Sequence, residues 1–313
     1  MLDHIHTFKL NSGAQIPWLA WGNGTGDPTD SEVAIDMGRT ALEKGIRHID
    51  TAQKYENENE TNVAIRQAHL KKQDLWVTSK FSGAGEGRVM KLHDVRDAVM
   101  GSLVRLGFTP DVYLIHNPYV VAREDLKGLW TLFETLQSEG VLKDIGVSNF
   151  RPQDFELILD GAKVKPAVHQ VEYHPFLLAH LQPVLDICEK NGIVTEAYGP
   201  LGPLIRHESG SQLKPVLERI AKRITQDNPD LGVNIEASTI LLLWTRAQGV
   251  VAVTTSGKAE RIEELAKVSR LQDHLLKKEE IQEITDIGKK YHFRAYPEHM
   301  ENEFPVPNLP DGR

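Results

Sequence analysis

Residues 94–118 read DVRDAVMGSLVRLGFTPDVYLIHNP. An amphipathic run from Asp94 to Leu106 is followed by a short apolar run that begins at Val112 and stops at His116. The first pattern predicts a helix and the second a buried strand. The same beat extends in both directions. Upstream, the pattern predicts a helix from Asp30 to Lys44, with Asp30 or Ser31 as its N-cap and Gly45 just past its end. A strand at His48–Asp50, a helix at Glu58–Leu70 and a strand at Leu75–Lys80 follow. Downstream, helices at Arg123–Glu139, Pro152–Leu159, Leu181–Lys190 and Ile235–Ala247 are each followed by a strand, at Ile145–Ser148, Ala167–Tyr173, Ile193–Tyr198 and Val250–Thr254. A last regular helix covers Ala259–Val268.

With a strand near Leu19–Trp21, the chain contains eight strand-then-helix units. Repeated units of this order predict a parallel sheet with right-handed crossovers, and eight of them favour closure into a barrel. No GxGxxG follows the first strand, which weakens the doubly wound alternative. The expected fold is therefore α/β: a single (β/α)8 TIM barrel occupying 1–313 as one domain. Its cap is an N-terminal β-hairpin, Thr7–Leu10 and Gln15–Leu19 around Asn11-Ser12-Gly13. Two extra helices, Gln212–Arg223 and Lys278–Gly288, and an irregular C-terminal loop from Tyr291 complete it. A chain of 313 residues with 40% hydrophobic content is ample for such a barrel.

Charge and composition exclude several functions. The net charge of −8 argues against nucleic acid or an anionic membrane as partner. No apolar run approaches the roughly 20 residues of a membrane span, and Met1–Leu10 lacks the pattern of a signal peptide. The one cysteine, Cys188, leaves no internal disulfide, and no CxxC or HExxH spacing suggests a metal site. These features predict a cytoplasmic protein.

In a (β/α)8 barrel, chemistry sits at the C-terminal ends of the strands. Asp50, Lys80 and His116 end three successive strands, and Tyr55 follows Asp50 in the loop. Alone, each has an ordinary reading: a helix cap, a solvated cation, a satisfied polar residue, a packing aromatic. Together they match carbonyl reduction. Hydride addition makes an alkoxide, so a proton must be supplied near neutral pH. Tyr55 could supply it, with Lys80 lowering the phenol's pKa from its usual value near 10. Asp50 would hold Lys80 charged, and His116 would hydrogen-bond and orient the carbonyl oxygen.

The runs IRHIDTAQKYENE (Ile46–Glu58), LWVTSK (Leu75–Lys80), VYLIHNP (Val112–Pro118), DIGVSNF (Asp144–Phe150) and HQVEYHPF (His169–Phe176) carry a resemblance over essentially the whole chain. In their order and spread they resemble the signatures of the aldo-keto reductase family. The features Gly22-Asn23-Gly24-Thr25 and Thr254-Thr255-Ser256 are similar to the fungal branch that reduces α-keto amides and conjugated polyketones. The resemblance implies NADPH as cofactor, a small-molecule carbonyl substrate, a monomer, and a catalytic tetrad of Tyr55, Lys80, His116 and Asp50. It implies cofactor contacts at Gly22, Gly24, Thr25 and Asp50, and at Ser148, Asn149 and Gln170 on the carboxamide. Tyr198 would stack on the nicotinamide, and Gly199, Leu201 and Gly202 would follow the pyrophosphate. Thr255, Ser256, Lys258, Arg261 and Glu264 would hold the adenosine end. Ser256, Lys258 and Arg261 also supply what a 2′-phosphate needs, cations beside a helix N-terminus. Two departures stand out. Asn117 replaces a Trp that many members carry after the histidine, implying a roomier or more polar pocket, and His169 replaces the Asn usual before Gln170.

The substrate would contact Tyr55, His116, Asn117, Trp21 and Phe81. Tyr119, Trp130 and the tail after Tyr291 are further candidates for the wall, although Trp130 is rather expected in the core or on a helix surface. An alternative function is a redox-sensing regulatory module that binds the cofactor, as in the channel-associated members of the family. A third, a non-redox barrel enzyme, predicts no nicotinamide binding, and the set Ser148, Asn149, Gln170 and Tyr198 speaks against it.

Overall fold

Eight parallel strands close on themselves in the computed structural model, which describes residues 5–24, 31–85, 87–206 and 212–311. They are β3 (Leu19–Gly22), β4 (His48–Asp50), β5 (Trp76–Phe81), β6 (Val112–Ile115), β7 (Asp144–Ser148), β8 (Val168–Glu172), β9 (Val194–Tyr198) and β10 (Val251–Thr254). Each pairs with its neighbour in sequence, and β10 returns to β3 through Ala252↔Leu19 and Thr254↔Trp21. The helices expected between strands are α1 (Ser31–Lys44), α2 (Glu58–Gln67), α3 (Leu92–Leu106), α4 (Leu126–Ser138), α5 (Pro152–Leu159), α6 (Leu178–Asn191), α9 (Ala237–Ala247) and α10 (Ala259–Val268). A short α7 (Gly202–Ile205) and the longer α8 (Lys214–Asp227) interrupt the beat after β9, and α11 (Lys278–Gly288) follows α10. Among the described residues, no helix is long and apolar enough to cross a membrane.

The two ends of the barrel differ. At the N-terminal end, β1 (Thr7–Lys9) and β2 (Gln15–Pro17) form the expected antiparallel hairpin. Its Leu10 and Ile16 pack against Val112, Leu114, Val168 and Val251 and close that end. Outside, side chains of the opposite parity meet the helices. Ile115, Val147, Val171 and Ala197 join one large cluster with Trp130 and Phe133 of α4, Phe155 of α5 and Trp244 of α9. Alternation along a strand assigns every residue to one of these two faces. Gly146 shows how tight the interior is. A Cβ there would lie 2.5 Å from Val168 O and 2.6 Å from Leu114 Cδ2, which only glycine avoids.

Element ends shift by a few residues from the sequence pattern. α6 begins three residues early, at Leu178, behind a 3-10 turn at Pro175–Leu177. α8 runs on to Asp227, and α2 ends at Gln67 with Ala68 as its C-cap. α9 begins at Ala237 because Glu236 caps it, its N–H donating to Thr239 Oγ1 at 3.4 Å. Asp30, the candidate N-cap, lies outside the described residues. α7 had no clear signal in four residues containing Gly and Pro.

Candidate functional site

Asp50, Lys80 and His116 meet at the open end of the barrel, as their strand-end positions require. Lys80 is wholly buried, and each of its three donors has an acceptor. Nζ donates to Asp50 Oδ1 at 2.7 Å, to the Thr51 carbonyl at 3.0 Å and to the Tyr55 hydroxyl oxygen at 3.2 Å. Tyr55 is carried there by a 3-10 turn, Gln53–Tyr55, ended by Glu56 in the left-handed region. The Tyr55 oxygen is therefore an acceptor towards Lys80. Its own proton has no acceptor among the described residues. The His116 ring stands edge-on to the phenol, 5.6 Å between centroids.

The protonation states follow from burial and neighbours. The Lys80 ammonium pays for its burial, but Asp50, Tyr55 and Glu196 outweigh that loss and raise its pKa. The lysine is thus held charged. Tyr55 corrects the expectation: burial raises the phenol's pKa by more than Lys80 lowers it, so the net shift is upward. Burial first, then Lys80, His299 and Lys54, hold the His116 pKa well below the ordinary histidine value. The imidazole is neutral at physiological pH.

A second polar layer lies beneath this one. Gln170 Nε2 donates to Asp50 Oδ2 at 2.7 Å and to Glu196 Oε2 at 3.0 Å. Glu196, fully buried on β9, has its pKa pushed up by burial and by Asp50. His48 Nε2 sits 3.5 Å from Glu196 Oε1. Sequence reasoning missed Glu196, although its parity on β9 matches that of Tyr198 and so points it inward.

The residues expected at the carboxamide also lie together. Asn149, held at φ 57°, donates from Nδ2 to the Ser148 hydroxyl and to the His116 carbonyl, both at 3.1 Å. Tyr198 donates its hydroxyl proton to Asn149 Oδ1 at 2.8 Å, and its ring meets Tyr296 edge-on. His169, by contrast, faces outward. Its Nε2 accepts the Phe150 N–H at 3.2 Å and its ring packs on Phe155, so it leaves Gln170 undisturbed. Gly22 pairs with Asp50 across β3 and β4, and Gly24 approaches Tyr55 so closely that a Cβ would fall 2.7 Å from the ring. Thr25 lies outside the described residues.

At the far end, Ser256 Oγ accepts the Lys258 N–H at 3.2 Å. Lys258 is the N-cap of α10 and Arg261 lies in its first turn. Both are exposed, and neither forms an ion pair among the described residues. A cleft of about 640 Å³ runs between Leu204 of α7, Glu218 and Lys222 of α8, and Glu236–Ser238 at the start of α9. Asn234 links its wall to α10, donating from Nδ2 to Glu236 Oε1 and from its N–H to Glu264 Oε2. The stretch Gly199–Leu204 thus connects the end of β9 to this cleft. These residues could hold a dinucleotide: open cations lie at a helix N-terminus at one end, and amide and hydroxyl groups at the other. Among the described residues, no group of His, Cys, Asp or Glu could hold a metal ion.

Two substrate contacts are corrected. Trp21 points outward from β3 and packs against Ala41, Ile46, Ile262 and Ala266. Phe81 also faces outward, its ring 6.1 Å from that of Phe133 on α4. Each directly neighbours a site residue in sequence, and alternation sends it to the opposite face. Asn117 uses Oδ1 to accept the Tyr119 N–H at 2.9 Å. Trp130 is in the core, its Nε1 donating to the Val164 carbonyl at 3.0 Å. The tail does reach the site: His299 packs on Tyr119 at 5.9 Å, and Asn302 Nδ2 donates to the Tyr119 hydroxyl at 3.3 Å. Behind it, Glu172 accepts the N–H groups of Ala295 and Tyr296.

The model of the aldo/keto reductase family matches residues 19–289. The chain is 31% identical over 297 residues to an NAD/NADP-dependent indole-3-acetaldehyde reductase of Schizosaccharomyces pombe, covering 92% of this chain and 98% of that one. It is 32% identical over 305 residues to an NADPH-dependent alpha-keto amide reductase of Saccharomyces cerevisiae, with 93% of each covered. A crystal structure of an aldo/keto reductase from Brucella melitensis superposes with a TM-score of 0.74 at 30% identity, over 90% of this chain and 99% of that one.

Proposed function

Because the chain belongs to the aldo/keto reductase family, and is thus an oxidoreductase that uses a nicotinamide cofactor, we propose that it reduces aldehydes, ketones or dicarbonyls to alcohols with NADPH, Tyr55 donating the proton. The observation that carries this reading is the direction of the hydrogen bond at Tyr55. Lys80 donates to the phenol oxygen at 3.2 Å, so the phenol's own proton is left for a ligand. An upward-shifted pKa keeps that proton in place until an alkoxide, a far stronger base, develops beside it.

The bound nicotinamide would supply a hydride to the carbonyl carbon. This chain's residues do the rest. His116, neutral, donates from its ring to the carbonyl oxygen and orients it. Tyr55 gives its proton to that oxygen as the C–H bond forms, and Lys80, three donors committed, stabilises the phenolate left behind. Asp50, gripped by Lys80 and Gln170, fixes the lysine in place. Ser148, Asn149 and Gln170 would hold the carboxamide, and Tyr198 would face the nicotinamide ring. Gly22, Gly24, Gly199, Leu201 and Gly202 would let the pyrophosphate lie close to the backbone. Thr255, Ser256, Lys258, Arg261 and Glu264 would hold the adenosine and its phosphate. The complete proton-donating set favours an enzyme over a regulatory module, which has no need of a poised proton. Incubating the protein with NADPH and a panel of α-keto esters, diketones and aldehydes, and following loss of the reduced-nicotinamide absorbance, tests this. No turnover with any of them would favour the regulatory reading.

A further inference from the structure

We propose that Ser82 is a positioning residue that selects the tautomer of His116, keeping the ring's one proton on Nε2, the nitrogen that meets the carbonyl oxygen. The proposal rests on the reading of His116 as the carbonyl's hydrogen-bond donor. A neutral imidazole carries a single N–H. If it sits on Nδ1, Nε2 can only accept, and a carbonyl oxygen placed there meets a lone pair. Which nitrogen is protonated is set by what the other one bonds.

Ser82 lies two residues beyond Lys80, so strand parity turns both towards the barrel mouth. Its Oγ is 2.7 Å from His116 Nδ1. The hydroxyl is held in place from its own backbone and from the Tyr55 turn. The Ser82 N–H donates to Gln53 Oε1 at 2.9 Å, and Gln53 Nε2 donates in turn to the Ala98 carbonyl at 2.9 Å. The Lys54 N–H donates to Ser82 Oγ at 3.1 Å. The ring's own backbone is pinned too, its N–H on the Phe81 carbonyl and its carbonyl under Asn149 Nδ2.

A hydroxyl has one proton and two lone pairs. Lys54 fills one lone pair. If Nδ1 carried the ring proton, it would fill the second, and the Ser82 proton would have no acceptor among the described residues. If Ser82 donates to a bare Nδ1, the bonds to Nδ1 and from Lys54 are both kept, and the one proton without a partner is Nε2–H, which is not enclosed and is open to solvent or to a carbonyl oxygen. Nε2 indeed has no partner among the described residues. The two arrangements differ in where that unmatched proton lies: on Ser82 it is turned in against the ring and the Tyr55 turn, whereas on Nε2 it faces the place of the carbonyl oxygen. The charged and titratable groups around the ring are Lys80, His299, Lys54 and Tyr55, none of them an anion. The ring therefore stays neutral, and its tautomer decides whether it can donate.

The test is the nitrogen spectrum of the protein labelled with ¹⁵N-histidine, without substrate. The His116 signals are assigned by their loss in His116→Gln. The wild type should show a bare, hydrogen-bonded Nδ1 and a protonated Nε2. Ser82→Ala should abolish the hydrogen-bond shift at Nδ1 and mix the tautomers. It should also lower kcat about tenfold, with NADPH affinity unchanged, and Ser82→Thr should restore both spectrum and rate. A wild-type ring protonated on Nδ1, or a Ser82→Ala spectrum identical to wild type, overturns the proposal. The spectrum is read without turnover, so it separates this inference from the proposed function. Full carbonyl reduction by His116→Gln would remove the histidine's role in the reaction while leaving Ser82's control of the ring standing.

Discussion

Cofactor selection is decided far from the reacting carbon. NADPH and NADH differ by one phosphate on the adenosine ribose, so preference must come from charges near that phosphate. Lys258 and Arg261 are the basic pair at the start of α10, exposed and without an ion pair among the described residues. Ser256 is committed to the Lys258 N–H. A charge-assisted hydrogen bond contributes roughly 1.5–3 kcal/mol. Because the site faces solvent and is screened, the low end applies, about 3 kcal/mol for the two together. That equals about two orders of magnitude in affinity. The double substitution Lys258→Ala with Arg261→Ala should therefore weaken NADPH binding about a hundredfold in fluorescence titration at moderate salt. NADH, which lacks the phosphate, should bind as before. The wild-type preference should also shrink as salt rises, because exposed charges are screened. Equal losses for both cofactors would refute the reasoning and place the pair at the pyrophosphate or in the fold.

Three further outcomes follow from the site. In the reduction direction the rate should hold while Tyr55 is protonated and fall as pH rises through its raised pKa. Lys80→Met, which removes the neighbour that pulls that pKa down, should move this limb further up while reducing kcat at neutral pH by roughly 10²-fold or more. An unmoved limb would mean that Lys80 does not tune the phenol. Asp50→Asn leaves Lys80 buried without its counter-charge at 2.7 Å, so thermal melting should show a loss of about 3 kcal/mol or more alongside lost activity; an unchanged melting curve would contradict the buried pair. Burial holds His48 and His169 at about 3, below their unfolded value of 6.5. The unfolded chain then binds more protons below pH 6.5, so stability should fall with falling pH, by about 3 kcal/mol for each histidine by pH 4. Denaturant unfolding at pH 7 and pH 4.5 checks this, and equal midpoints would contradict it.

The barrel was legible because the periodicity of the elements is strong and strand ends are marked by polar residues. Asp50, Lys80 and His116 each terminate an apolar run, and the structure brings them together with Tyr55. What went astray was parity. Trp21 and Phe81 stand beside site residues in sequence, but counting by twos from Gly22 and Lys80 sends both outward. The same count brings Ser82 and Glu196 inward, but a serine and a glutamate are too common to draw notice. The phenol's upward shift was not legible, because a sequence shows that Lys80 is near Tyr55 but not how deeply both are buried. The tail's contacts with Tyr119 join residues some 180 positions apart, and no local pattern announces them.

The central claim is that Tyr55 gives the proton. Tyr55→Phe removes one hydroxyl and keeps the ring that packs against His116. With NADPH and a dicarbonyl the wild type reduces, the account predicts a fall in kcat of at least about 10²-fold, the low end for general acid catalysis, with NADPH affinity unchanged. Near-normal turnover by Tyr55→Phe would contradict it.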